Sequence, residues 1–302
     1  MSLPLHDTPI LGMIARPTVP TPVEYGNDAS FWVEYPSGLV DLSRSHHLPG
    51  SQDTDALISE SKQADTQPPP LKSTQVDIPV DGGRTIRVDK KSTALVVIDM
   101  QNFFLHPDLR AHPTGLKCVE PLMNAVPVLR SLDMKILWVN WGLTDHELKT
   151  IPPSLVRGFR KNGGGGFGSE LPGDFGRLLM RDAYNSDLYG PLQAEYLKGK
   201  EIGTDFWIHK NRMSGLWGYQ TALDLFLKEN GITTLLFSGV NADQCVLGTL
   251  ADAYFRGYDC VVVEDATATT SPEGGFENVI YNAGNSYGFV TDTTRLVAAA
   301  AK

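Results

Sequence analysis

The sequence predicts an α/β chain, a three-layer α/β/α sandwich around a mainly parallel, Rossmann-like sheet, with an irregular N-terminal extension and a β-hairpin in front of it. Three observations carry that reading. From about residue 94 onward, short apolar runs alternate with amphipathic stretches of helical spacing, the pattern of successive strand–helix units. The runs Thr93-Ala94-Leu95-Val96-Val97-Ile98 and Thr233-Thr234-Leu235-Leu236-Phe237 show no polar alternation, as expected of strands covered on both faces. Before residue 75 the chain is rich in Pro, Ser, Thr, Asp and Gln, and a polar tract over 43–72 ends in Pro68-Pro69-Pro70, a composition that buries no core of its own. We therefore divide the chain into an extension, residues 1–75, and a domain, residues 76–302.

In chain order, Phe31-Trp32-Val33-Glu34-Tyr35 reads as one short strand within an otherwise mostly irregular extension. Val76–Val80 and Thr85–Val88 alternate about the turn Asp81-Gly82-Gly83-Arg84, a hairpin signal. The domain then reads as strand 94–99, helix 117–132, strand 135–140, a long irregular insertion, strand 204–209, helix 217–229, strand 233–238, helix 245–256, strand 259–264, helix 275–284 and strand 288–292. The run Lys161-Asn162-Gly163-Gly164-Gly165-Gly166-Phe167-Gly168 in the insertion lacks a Gly-Lys-Ser/Thr ending, so it reads as a loop or lid instead of a phosphate cradle.

Composition bounds the function. The chain has 302 residues, 41% hydrophobic and 20% charged, and a formal net charge of −9. That is enough to bury a full core, and the charge argues against a nucleic-acid or anionic-membrane partner. No apolar run approaches the ~18 residues that cross a bilayer, and Met1–Asp7 has neither a basic start nor an apolar stretch, so no signal peptide is expected. Cys118, Cys245 and Cys260 are too few for a disulfide scaffold, which points to a reducing, cytoplasmic compartment. Cys118 and Cys260 read as structural.

Cys245 differs from them by its setting. A buried strand breaks at Gly239, and Val240-Asn241-Ala242-Asp243-Gln244-Cys245-Val246 leads into a helix with the thiol in its first turn, where unpaired N–H groups and the helix dipole favour thiolate. Asp99 ends the strand 94–99 and Lys210 follows the strand 204–209. Three strands thus deliver Asp, Lys and Cys to one sheet edge, and the carboxyl edge of such sheets is where ligands bind.

These segments resemble the isochorismatase-like cysteine hydrolase family. The motifs are Asp99-x-Gln101-x-x-Phe104, Lys210-x-x-x-Ser214, and Gly239-Val240 through Cys245-Val246, Thr249, Asp252-Ala253 and Gly257-Tyr258. The match covers about residues 92–295. One departure is Ala242, where the family has Thr. The resemblance implies the three-layer fold and hydrolysis of a C–N bond, amide or ureido, in a small molecule through a thioester. Cys245 would be the nucleophile, Asp99 the proton carrier and Lys210 the group that fixes both charges. The oxyanion would be held by backbone N–H groups of Asn241 and Cys245, with a cis peptide before Asn241. Gln101, Phe104, Trp141 and Trp217 are expected at the substrate. The alternatives are an isochorismatase-type vinyl-ether hydrolase and a non-catalytic binding protein on the same fold. His46-His47, His106, His112, His146 and His209 form no spaced ligand set, so no metal and no other cofactor is expected. Tyr254 and Phe255 cannot both face inward on one helix, and a homo-oligomer, dimer or tetramer, is expected, with the extension near the active-site mouth.

Overall fold

The computed structural model describes residues 17–53, 56–60, 67–160 and 165–301; part of the glycine run, residues 161–164, lies outside them. One sheet comprises β1 (Val23–Asn27), β2 (Ser30–Glu34), β3 (Leu39–Asp41), β4 (Ile58–Glu60), β5 (Gln75–Val80) and β6 (Arg84–Asp89). Their order is β4-β1-β2-β3-β6-β5. Only the β3–β6 pair is parallel.

This corrects the reading of the segment before residue 75 as mostly irregular. The Pro- and Ser-rich composition belongs to 43–72, whereas Phe31, Val33 and Tyr35 are buried at strand spacing. The β5–β6 hairpin gives these strands a ladder to join, and Val40 and Leu42 sink into the main core beside Val76, Ile78 and Ile86. The extension borrows both its hydrogen bonds and its core from the domain, which is why its own composition looks insufficient.

The second sheet is parallel throughout: β7 (Thr93–Ile98), β8 (Lys135–Trp141), β9 (Asp205–Lys210), β10 (Thr234–Val240), β11 (Asp259–Ala268) and β12 (Gly288–Thr291). Alternate β7 side chains enter two separate cores. Leu95 and Val97 pack with Leu122, Val126 and Leu129 of α3 (Val119–Ser131). Ala94, Val96 and Ile98 pack with residues of α7 (Ala222–Glu229) and α8 (Leu247–Phe255). The three layers follow from that alternation. The remaining helices are the short α1 (Asn102–Leu105) and α2 (Pro113–Leu116), α4 (Asp145–Leu148), α5 (Pro153–Phe159), α6 (Pro191–Ile202), α9 (Gly275–Asn282) and α10 (Thr293–Ala300).

Strand order is β12-β11-β10-β7-β8-β9. The chain builds outward from β7 to β9, then returns to the other side of β7 for β10. The crevice between β7 and β10 is therefore the switch point at which α/β sheets bind ligands.

Two elements depart from the sequence reading. The helix expected at 217 starts at Ala222, because Thr221 accepts a capping bond from Asp224 N at 3.2 Å. The insertion read as irregular contains α4, α5 and α6. In α6 the buried face is Leu192, Glu195, Tyr196 and Gly199; Glu195 pairs with Arg130 at 2.7 Å, and a Cβ on Gly199 would lie 2.0 Å from Asp205 Cγ. A polar and a glycine position on the inner face hide the helical hydrophobic period.

The extension is fastened at the edge away from that crevice. Asp259, the first residue of β11, accepts two bonds from the Arg44 guanidinium, both 2.7 Å, one from Trp32 Nε1 at 2.7 Å and one from Thr234 Oγ1 at 2.8 Å. No helix among the described residues is long and apolar enough to cross a membrane.

Candidate active site

Asp99 follows β7 with φ 54°, a left-handed backbone that Asp tolerates better than most residues. It is fully buried. One strand away, β10 approaches β7 so closely that a Cβ on Gly239 would lie 2.0 Å from Ile98 O. Only glycine permits this, and Gly239 itself has φ 111°. The Val240–Asn241 peptide is cis. A π-helical turn then spans Ala242–Val246. Its Asn241 O accepts from Gln244 N at 3.1 Å and Val246 N at 3.2 Å, passing over the N–H of Cys245. A wide turn of this kind is a recurrent feature of functional sites.

Lys210, at the carboxyl end of β9, crosses above β8 to reach the crevice. Its Nζ lies 2.9 Å from Asp99 Oδ2 and 3.6 Å from Cys245 Sγ. It also donates to Arg212 O at 3.2 Å and sits 4.0 Å from the centroid of the Trp141 ring. The structure thus brings Asp99, Lys210 and Cys245 into one buried cluster.

Burial dominates the electrostatics. It raises the Asp99 carboxyl above the usual carboxylate range, with the Lys210 charge opposing. It pushes the Cys245 thiol up to about 12, opposed by Lys210 and reinforced by Asp99. The helix-start expectation of a depressed thiol is therefore reversed: Cys245 enters the buried cluster before α8 begins, and desolvation outweighs the positive helix end. Burial thus favours the neutral thiol at Cys245, and the carboxyl beside it is lifted toward the range of a general base.

A cavity of about 1160 Å³ opens above this cluster, with Asn241, Gln244 and Cys245 in its lining. Phe104 and Trp217 line it as well, as does much of the insertion between Pro152 and Leu178. Gln101 and Trp141 do not. Gln101 Nε2 donates to Trp141 O at 2.8 Å and Ser186 O at 2.7 Å, and its Oε1 accepts from Trp141 N at 3.1 Å. With its amide committed to the backbone, Gln101 braces the layer under the pocket. Trp141, also fully buried, supports Lys210 from below; Phe159 and Phe167 of the insertion pack on it at 5.2 and 5.1 Å between ring centroids.

His112, which belongs to no metal-ligand set in the sequence, contacts the turn at Asn241. His112 caps α2, its Nδ1 accepting from Gly115 N at 2.9 Å. That fixes the proton on Nε2, which donates to Asn241 Oδ1 at 2.5 Å. The contact joins residues 129 apart in sequence, so no local spacing signals it. Among the described residues, no group of three or more His, Cys, Asp or Glu side chains is placed to hold a metal ion.

Comparison with known proteins places this geometry. The sequence profile of the isochorismatase domain matches residues 93–295. The chain belongs to the isochorismatase-like cysteine hydrolase family. Within it, the chain is similar to ureidoacrylate amidohydrolase RutB of Caulobacter segnis, with 29% identity over 69% of this chain and 85% of that protein. The structure of N-carbamoylsarcosine amidase from Thermoplasma acidophilum is similar at 27% identity and a TM-score of 0.50, covering 67% of this chain and 96% of that one. A cysteine hydrolase from Pseudomonas syringae pv. phaseolicola shares the fold at 17% identity and a TM-score of 0.56, over 71% of this chain and 94% of that chain.

Proposed function

We propose that this protein is a cysteine-dependent hydrolase that cleaves the C–N bond of a small amide or ureido compound, without a cofactor. The observation that carries the reading is the buried contact of Lys210 Nζ with both Asp99 Oδ2, at 2.9 Å, and Cys245 Sγ, at 3.6 Å, directly beneath a cavity that Cys245 itself lines. The amide-hydrolysing names of the relatives above point the same way.

The chemistry follows by role. Asp99 takes the thiol proton as Cys245 Sγ bonds to the carbonyl carbon, and the N–H groups of Asn241 and Cys245 receive the developing oxyanion. Asp99 passes the proton to the nitrogen, the C–N bond breaks and the amine departs, leaving a thioester. Asp99 then takes a proton from water as its oxygen bonds to the carbonyl carbon. The S–C bond breaks, the acid leaves and the thiol is restored. Lys210 stabilises whichever neighbour carries the negative charge. His112 holds the Asn241 side chain and with it the turn.

The three cysteines are unpaired, in keeping with a reducing, cytoplasmic setting, and Tyr254 and Phe255 are 42% and 77% exposed, in keeping with a homo-oligomer. The test is ammonia release from a panel of small primary amides and ureido compounds. Wild-type protein turns over at least one of them; Cys245→Ala and Cys245→Ser do not. More than a trace of turnover in Cys245→Ala removes the nucleophile assignment.

A further inference from the structure

The charged side chains in the described cavity lining are Arg110, Glu170 and Arg212. The lining therefore has an excess of positive charge, in a chain whose formal net charge is −9. Below it, Asp99 and Lys210 cancel. The two arginines are not equivalent. Arg212 donates to Asn211 O and Thr150 O, both at 2.7 Å, and lies over the Trp217 ring at 4.7 Å. The Arg110 guanidinium has no hydrogen-bonding or carboxylate partner among the described residues. It sits at the rim between α1 and α2, its Cζ 5.9 Å from the centroids of both Phe103 and Phe104.

A guanidinium steadied by aromatic rings and left without an anion has its two-pronged donor face free. Its surroundings already strip it of some water, which lowers its pKa. A neutral substrate would leave that charge uncompensated in a pocket walled by apolar groups. An anion would compensate it.

We propose that Arg110 is a specificity-determining residue that recruits a carboxylate borne by the substrate away from the scissile carbonyl, so that the substrate class is a ureido acid or carboxyl-bearing amide. This rests on the amide-hydrolase reading above. Glu170 in the same lining disfavours a second carboxylate on its side of the cavity and orients the first toward Arg110.

The test uses a pair of thiol reagents that differ by the charge in question, iodoacetate and iodoacetamide. Alkylation of Cys245 is followed by peptide mass spectrometry on the full chain, with glutathione as the reference thiol. A change in thiol reactivity alters both rates alike, so their ratio isolates attraction of the carboxylate. The expected ratio of iodoacetate to iodoacetamide rates is about tenfold above that of glutathione, the low end of electrostatic focusing in a cleft. In Arg110→Met it falls to the glutathione value, and Arg110→Lys restores most of it. A wild-type ratio no higher than that of glutathione, or an unchanged ratio in Arg110→Met, overturns the proposal while leaving amide hydrolysis intact. If instead no amide or ureide in the panel releases ammonia, the hydrolase reading falls and the proposal with it.

Discussion

Lys210 Nζ stands 4.0 Å from the ring centroid of Trp141, its neighbour across the β8–β9 ladder. The ammonium is thus held from below by an aromatic face while it bonds Asp99 and approaches Cys245. A desolvated cation–π contact contributes about 2 kcal/mol. Trp141→Leu is expected to lower kcat/KM about 10–30-fold, and Lys210→Met far more. In both, the pH profile of Cys245 alkylation moves upward, because the charge that favours thiolate is displaced or removed. An unmoved profile in Lys210→Met removes Lys210 from the mechanism.

Asp99 gives the opposite shift. Its negative charge and hydrogen bond raise the Cys245 pKa, so Asp99→Asn lowers it. Hydrolysis is lost while iodoacetamide labelling shifts to lower pH.

The pH–rate profile follows from the same cluster. In the proposed mechanism the base is the Asp99 carboxylate, and burial raises its pKa from the ordinary value of 3.8. The acid limb of kcat/KM therefore lies above that value, and activity is lost as pH falls through the raised pKa. In Lys210→Met the limb moves higher still, since the main opposing charge is gone. A limb at the ordinary carboxylate value rules out Asp99 as the base.

His112→Ala leaves the Asn241 side chain without its donor. In the proposed mechanism Asn241 supplies an oxyanion donor, and loss of its positioning is expected to lower kcat by about 10–100-fold with little change in KM, toward the range for deleting such a donor outright. His112→Gln, which keeps an N–H, recovers part of it. Equal loss in kcat and stability without the KM split marks a purely structural residue.

Arg44→Ala strips a buried carboxylate of its cation. Asp259 is 1% exposed, and breaking a buried pair from one side costs about 3–5 kcal/mol. Chemical denaturation is expected to show that loss. Because the clamp lies at the amino edge of the sheet, kcat of the folded fraction is unchanged.

The exposed Tyr254 and Phe255 predict self-association. Light scattering on the full chain is expected to give at least a dimeric mass, and Phe255→Asp to reduce it. A monomeric mass for the full chain rules the oligomer out.

The parallel sheet and the residues at its edge were legible because buried strands announce themselves as unbroken apolar runs; Asp99 and Lys210 mark the ends of two, and Cys245 sits in the turn that follows a third. What lay hidden depends on contacts far apart in sequence. His112 meets Asn241, and Arg44 meets Asp259, only through the fold. Gln101 and Trp141 sit at strand ends like the catalytic candidates, but sequence position does not show whether a side chain faces the cavity or the layer beneath it. The strand-to-helix passage at Cys245 was legible, but the thiol lies in a π-helical turn ahead of α8, and the depth of burial, which decides its pKa, cannot be read from a motif. Before residue 75 only the strand at 31–35 was legible; its partners were missed because they complete a sheet whose template comes later in the chain.

The approach of Gly239 to Ile98 divides this molecule into a part that can change and a part that cannot. The gap between β7 and β10 is set by main chain against main chain, with no side chain in it to trim or enlarge. The reacting end of the site therefore offers almost no room for variation by substitution. Diversification toward new compounds has to come from the segment between Pro152 and Leu178 and from the rim, where residues are carried on loops and short helices. A laboratory search for altered selectivity should randomise those positions and leave Gly239 fixed.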